Sequence, residues 1–147
     1  MIPEITPSDA KKRLDERSGY VYLDVRSVAE FAAGHVPGAI NIPIAEPNPA
    51  TGQMEPNAEF LSVVEATIPP ETPLIVGCKS GGRSARACAM LLRSGYTDPR
   101  NMVGGFGGAM DPSGEMVHEG WSTLGYPIEQ GDGGERSYLS VSTKVRK

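Results

Sequence analysis

One stretch of this 147-residue chain has the residue types that covalent chemistry requires: Cys78-Lys79-Ser80-Gly81-Gly82-Arg83-Ser84. Its glycines let successive backbone N–H groups curl into an anion-binding concavity, and a helix starting near Arg83 adds the positive end of its dipole. With the cations of Lys79 and Arg83 alongside, a thiolate is favoured on Cys78, which makes this residue a candidate nucleophile. A cysteine that merely ends a strand as a small apolar residue needs none of these neighbours.

Spacing narrows the chemistry. Four residues separate Cys78 from Arg83, one fewer than in the cradle of protein tyrosine phosphatases. A shorter loop makes a smaller cradle, better suited to one extra sulfur atom on the cysteine than to a tetrahedral phosphate. A phosphatase or an arsenate reductase is therefore disfavoured. Cys88 lies ten residues further on, among Ala85, Ala87 and Ala89, and reads as a buried helix residue with a free thiol. Neither His35 nor His118 has metal-ligand spacing with the cysteines, so no metal is expected.

The elements that must position the loop follow from local signals. Leu74-Ile75-Val76 reads as the central strand, and Cys78 comes just after its C-terminal end. Residues 83–94 carry Ala87, Met90 and Leu91 at helical spacing and stop at Gly95. Upstream, Thr6-Pro7 starts a helix that runs through Arg17, and residues 20–25 form a strand buried on both faces. Ser27 and Glu30 fit a capping box for a short helix ending at Gly34. Residues 39–43 read as a strand, 46–56 as a Pro/Asn-rich surface loop, 58–67 as a helix capped by Asn57, and 101–103 as a further strand. Strands alternating with helices predict an α/β fold with a parallel sheet, whose ligands bind at the C-terminal strand ends.

Composition excludes several classes. A net charge of -4 gives no basic surface for nucleic acid, and no apolar run approaches the roughly 20 residues of a membrane span. The first residues, Met1-Ile2-Pro3-Glu4, lack the basic and apolar regions of a signal peptide, so the cytoplasm is the expected location.

In order and spacing the motifs resemble the rhodanese family of thiosulfate and related sulfurtransferases. The resemblance spans residues 5–128 and rests on Leu23-Asp24-Val25-Arg26, Glu30-Phe31, the run from Gly34-His35-Val36-Pro37-Gly38 to Pro43, the loop Cys78 to Ser84, Gly104-Gly105, and Trp121 with Gly125-Tyr126-Pro127. It implies an open five-stranded parallel sheet flanked by helices and a reaction through a cysteine persulfide, without a cofactor. Cys78 then matches the sulfur-accepting residue and Arg83 the arginine closing the loop, while Lys79, Ser80, Gly81 and Gly82 match positions whose amides surround the outer sulfur. The implied partners are a small anionic sulfur donor such as thiosulfate and a thiol or cyanide acceptor, which can be a protein thiol. Asp24, Arg26, Glu30 and His35 are expected to be structural residues near the site, Arg26 pairing locally with Glu30 and His35 serving as a turn residue. A competing reading is a sulfur-carrier or protein-binding module in which thiosulfate turnover is incidental.

The chain departs from the family pattern between Phe106 and Gly120, where an extra segment separates the paired glycines from Trp121. Leaving a strand at its C-terminal end, this segment is expected to border the site as a rim that selects donors or acceptors, the alternative being an inert surface loop. Residues 1–130 are expected to form the domain and 131–147 a flexible C-terminal tail.

Overall fold

The computed structural model describes residues 2–145. In chain order the elements are β1 (Glu4–Ile5), α1 (Pro7–Asp15), β2 (Val21–Asp24), α2 (Val28–Ala33), β3 (Ile40–Asn41), β4 (Ala45–Pro47), β5 (Met54–Pro56), α3 (Phe60–Thr67), β6 (Leu74–Gly77), α4 (Gly82–Arg93), β7 (Pro99–Met102), β8 (Ala109–Met110), β9 (Met116–His118) and α5 (Tyr138–Ser142). Five strands make one parallel sheet in the order β1-β7-β6-β2-β3, with β6 in the middle as its uninterrupted apolar sequence predicts. Register is exact to the residue across the centre, with Leu23 opposite Val76 and Asp24 opposite Gly77.

The pleat divides the core in two. Leu74 and Val76 of β6, with Leu23 of β2, face Phe60, Val63, Val64 and Leu91 on α3 and α4. Ile75 and Tyr22 point the other way, toward Ala10, Phe31, Met102 and Trp121. Each large side chain buried in this way contributes roughly 1.5–3 kcal/mol. Trp121 is anchored further by its indole N–H, which donates to the Pro127 carbonyl at 2.7 Å.

Local signals place most boundaries. Thr6 caps α1 by accepting the Asp9 N–H, and Pro7 opens the helix. That helix stops at Asp15, two residues before the predicted end, because Arg17 turns into the left-handed region at φ 52. Ser27 and Glu30 form the predicted capping box of α2. The helix expected over residues 58–67 begins at Phe60, and the Asn57 side chain caps the entry turn by accepting the Glu59 N–H.

Two segments differ from expectation. Residues 46–56 are not an open loop: β4 and β5 pair antiparallel, Ala45 opposite Pro56 and Pro47 opposite Met54. Their alternation carries almost no apolar residues, which hides a hairpin from periodicity. The expected tail, as far as it is described, folds back. Gly134 to Arg136 form a 3-10 turn, α5 packs on α3, and Val141 and Ser142 are buried. Arg136 ties this segment to the domain through the Ala39 carbonyl at 3.1 Å and Glu129 at 2.9 Å. A five-residue helix is too short to display a helical period, so nothing in residues 131–145 announces it. No helix among the described residues is long and apolar enough to cross a membrane.

Candidate functional site

Cys78 leaves the C-terminal end of the central strand, is 1% exposed and carries a free thiol. Gly81, the N-cap of α4, has φ +118, a conformation that L side chains rarely adopt. That turn swings the Gly81 N–H onto Cys78 Sγ at 3.0 Å. The Ser84 hydroxyl approaches the same sulfur at 3.3 Å from the first turn of α4. The Gly81 N–H, the Ser84 hydroxyl oxygen and the start of α4 thus converge on one sulfur atom.

The outer side of the loop is held by the segment after β7. Phe106 N–H donates to the Cys78 carbonyl and Gly107 N–H to the Lys79 carbonyl, each at 2.8 Å. So close an approach leaves no room for a side chain at Gly105, where a Cβ would lie 2.6 Å from the Cys78 carbonyl oxygen and 2.7 Å from that of Lys79. The start of the extra segment therefore braces the Cys78 loop. Beyond it β8 and β9 pair as an antiparallel hairpin. His118 and Glu119 there line a cavity with Thr6, Pro7 and Val103, toward the β1 edge of the sheet.

Arg83 has an unexpected partner. Its Nη1 and Nη2 donate to the two carboxylate oxygens of Glu30 at 2.7 and 3.0 Å, a bidentate pair between α4 and α2. Glu30 is also the capping residue that accepts from the Ser27 N–H and hydroxyl. The Arg83 guanidinium, aided by the Ser27 amide, brings the Glu30 carboxyl down to about 2 against the opposing effect of burial. The expected Arg26–Glu30 pair is not formed. Arg26 instead donates to Asp24, with Nη2 2.7 Å from Oδ2, and to the Gly34 carbonyl, while its guanidinium lies 4.4 Å from the centre of the Phe106 ring. Asp24 sits two residues before Arg26 at the strand end, and its reach is shorter than that of Glu30 across a helical turn, which leaves Glu30 for Arg83.

The remaining candidates separate clearly. Gly82 starts α4, whereas Lys79 and Ser80 are exposed at the crest of the loop. His35 is fully buried away from the loop. Its Nδ1 donates to the Phe31 carbonyl at 2.7 Å, its ring stacks on Phe31, and Nε2 lies 3.0 Å from Glu129 Oε1. Cys88 is packed in the core on α4, and burial pushes its thiol up to about 12, with the nearby Cys78 adding to the shift. Among the described residues no cluster of His, Cys, Asp or Glu can hold a metal ion.

Two contributors escape a reading of the sequence. Ser84 is completely buried and donates to Asn101 Oδ1 on β7, while Asn101 Nδ2 donates to the Gly81 carbonyl at 3.3 Å. This orients the Asn101 amide and ties the loop to the neighbouring strand. The available signal is a polar residue inside an otherwise buried strand, which must find a partner.

Beside Arg83 two cavities run together along α4. One of about 510 Å³ is bounded by Ser27, Glu30, Arg83 and Arg86, and one of about 360 Å³ by Ile44, Pro56 and Met90. Both are walled by Ala45 and Met54 of the β4–β5 hairpin and by Arg86.

Residues 6–110 match the family model described as the Rhodanese-like domain. Thiosulfate sulfurtransferase 16, chloroplastic, from Arabidopsis thaliana is 43% identical over 89 residues, which cover 60% of this chain and 72% of that protein. The Thiosulfate:glutathione sulfurtransferase of Homo sapiens is 41% identical over 86 residues, 57% of this chain and 73% of the relative. Among solved structures, Rv0390 from M. tuberculosis superposes with a TM-score of 0.71 at 30% identity, covering 88% of this chain and 98% of its own. With a family model matched over more than two thirds of its length, and the five-stranded parallel sheet to go with it, the chain belongs to the rhodanese family.

Proposed function

We propose that the protein is a sulfurtransferase that carries a sulfane sulfur as a persulfide on Cys78. The observation that carries this reading is the convergence of the Gly81 N–H and the Ser84 hydroxyl on the Cys78 sulfur at the end of the central strand. The sulfurtransferase names of the relatives support it.

In the first half-reaction the Cys78 thiolate attacks the outer sulfur of thiosulfate. A Cys78–sulfur bond forms, the S–S bond of the donor breaks, and sulfite leaves with its electron pair. The products are an anionic persulfide and sulfite, which together carry the same total charge as the thiolate and thiosulfate. The Gly81 N–H and the N-terminal end of α4 act on this second anion as preorganised dipoles, as an oxyanion hole does for oxygen. In the second half-reaction a thiolate or cyanide attacks the outer sulfur and leaves with it, returning Cys78 to the thiolate. No proton, metal or redox partner is needed to balance either step. Lys79 and Ser80 contribute through their place on the loop crest, and Lys79 supplies a cation to an arriving dianion.

The test is mass spectrometry of the intact protein after incubation with thiosulfate. One added sulfur, removable by dithiothreitol, is expected on the parent and on Cys88→Ser and absent from Cys78→Ser. Full thiocyanate formation by Cys78→Ser would remove the assignment.

A further inference from the structure

The groove beside Arg83 is far larger than a thiosulfate ion requires, and its lining is mixed. At one end stand Ser27, Glu30 and Arg83; at the other, Ile44, Pro56 and Met90. Because the two cavities share Ala45, Met54 and Arg86, they form one continuous trough along α4. Its size falls in the range of sites for small organic ligands rather than simple ions.

The charge in the trough is specific. Arg83 has both outer guanidinium nitrogens on Glu30, so its cation is already neutralised. Arg86 follows three residues later on the same helix face, is exposed, lines both cavities and makes no ion pair among the described residues. The opposite wall is held in place, since the Glu46 carboxylate of β4 accepts the Val28 N–H at the start of α2 at 2.6 Å. The trough thus offers one unpartnered cation, an apolar floor of methionine and proline, and an end that reaches the residue closing the reactive loop.

Building on the sulfur-transfer reading above, we infer that this trough is the acceptor subsite and that it takes a low-molecular-weight thiol bearing a carboxylate, which Arg86 receives. A carboxylate on Arg86 gains a charge-assisted hydrogen bond, with the carbon skeleton along Met54 and Met90 and the thiol directed toward the loop. A cyanide ion is too small to use the trough. The acceptor side is therefore where Arg86 discriminates.

Steady-state turnover with saturating thiosulfate tests this, with glutathione, its diethyl ester and cyanide as acceptors. In Arg86→Ala and Arg86→Glu the ratio of kcat/KM for glutathione to that for cyanide is expected to fall about tenfold, the cost of one charge-assisted contact. The fall should reside in KM, Arg86→Lys should restore most of it, and the ester should be a poor acceptor for the parent and indifferent to the substitutions. An unchanged ratio, or an equal fall for the ester, overturns the subsite. Absence of thiocyanate formation and of a Cys78 persulfide in the parent would instead overturn the transfer reading itself.

Discussion

The guanidinium of Arg83 and the carboxylate of Glu30 meet in a two-bond clasp of 2.7 and 3.0 Å across 53 residues of sequence. The clasp joins the first turn of α4 to the capping box of α2, so the helix that presents the loop and the helix that flanks it are fastened at the mouth of the site. Through this link Arg83 ties the start of α4, next to the Cys78 loop, to α2.

Its pH dependence follows in sign. Glu30 has its carboxyl lowered from 4.5 to about 2 in the folded protein. A lowered carboxyl contributes stability that is present above the unfolded value and lost as pH falls through the folded one. Because the pair is partly exposed, its worth is screened to about 1 kcal/mol. Glu30→Gln should therefore lower Tm at pH 6–7, and the difference from the parent should close between pH 4.5 and 2. Thermal melts across that window check this; a constant difference down to pH 2 would show that the clasp contributes no proton-linked stability.

Ser84 and Asn101 form the inner support of the sulfur. Ser84→Ala removes the hydroxyl oxygen that lies 3.3 Å from Cys78 Sγ and leaves the Asn101 amide oxygen without its donor. A buried acceptor left without its donor costs about 1–3 kcal/mol, and with the tie between α4 and β7 loosened sulfur transfer should fall roughly tenfold. Iodoacetamide alkylation of Cys78 at fixed neutral pH should slow as well, and Ser84→Thr should recover much of both. Parent-like alkylation and turnover in Ser84→Ala would assign the contact to packing alone.

What the amino-acid pattern discloses and what it hides divide along sequence distance. The apolar run of β6, the Ser27–Glu30 capping box and the glycine turn before α4 are local signals, and the structure places them within a residue or two of expectation. The Arg83–Glu30 clasp, the His35–Glu129 contact and the Ser84–Asn101 bond each join residues from different elements. No local pattern specifies such pairings, and the nearer alternative for Glu30, Arg26, was taken by Asp24. The β4–β5 hairpin and α5 were illegible for another reason: each buries too few apolar residues to show a period.

Gly105 tests whether the segment after β7 braces the loop. It adopts φ +57, and an added Cβ would lie 2.6 Å from the Cys78 carbonyl oxygen and 2.7 Å from the Lys79 carbonyl carbon. Gly105→Ala should cost about 1–3 kcal/mol from conformation alone, and the clash should displace the loop and lower transfer more than stability. Gly125→Ala serves as the comparison, since its φ of +75 carries similar strain but a Cβ there meets nothing within 4 Å. Equal loss of activity in the two variants at equal Tm would remove the bracing role.

The extra segment and the β4–β5 hairpin can be separated by function. The β8–β9 hairpin stands on the β1 side of β6, where His118 and Glu119 share a cavity with Thr6 and Pro7, whereas Met54 of β5 walls the trough that contains Arg83 and Arg86. Its roots must stay, because Phe106 and Gly107 hold the loop carbonyls. Replacing only the exposed tip, residues 111–115, with a short glycine turn should leave persulfide formation on Cys78 and the glutathione-to-cyanide ratio within about twofold of the parent, since no group that touches the loop is lost. Met54→Ala should shift that ratio severalfold, because it strips the apolar wall from the trough and removes the area that orders an organic acceptor. If trimming the tip alters the ratio and Met54→Ala does not, acceptor selection belongs to the extra segment and the trough along α4 is only a surface groove.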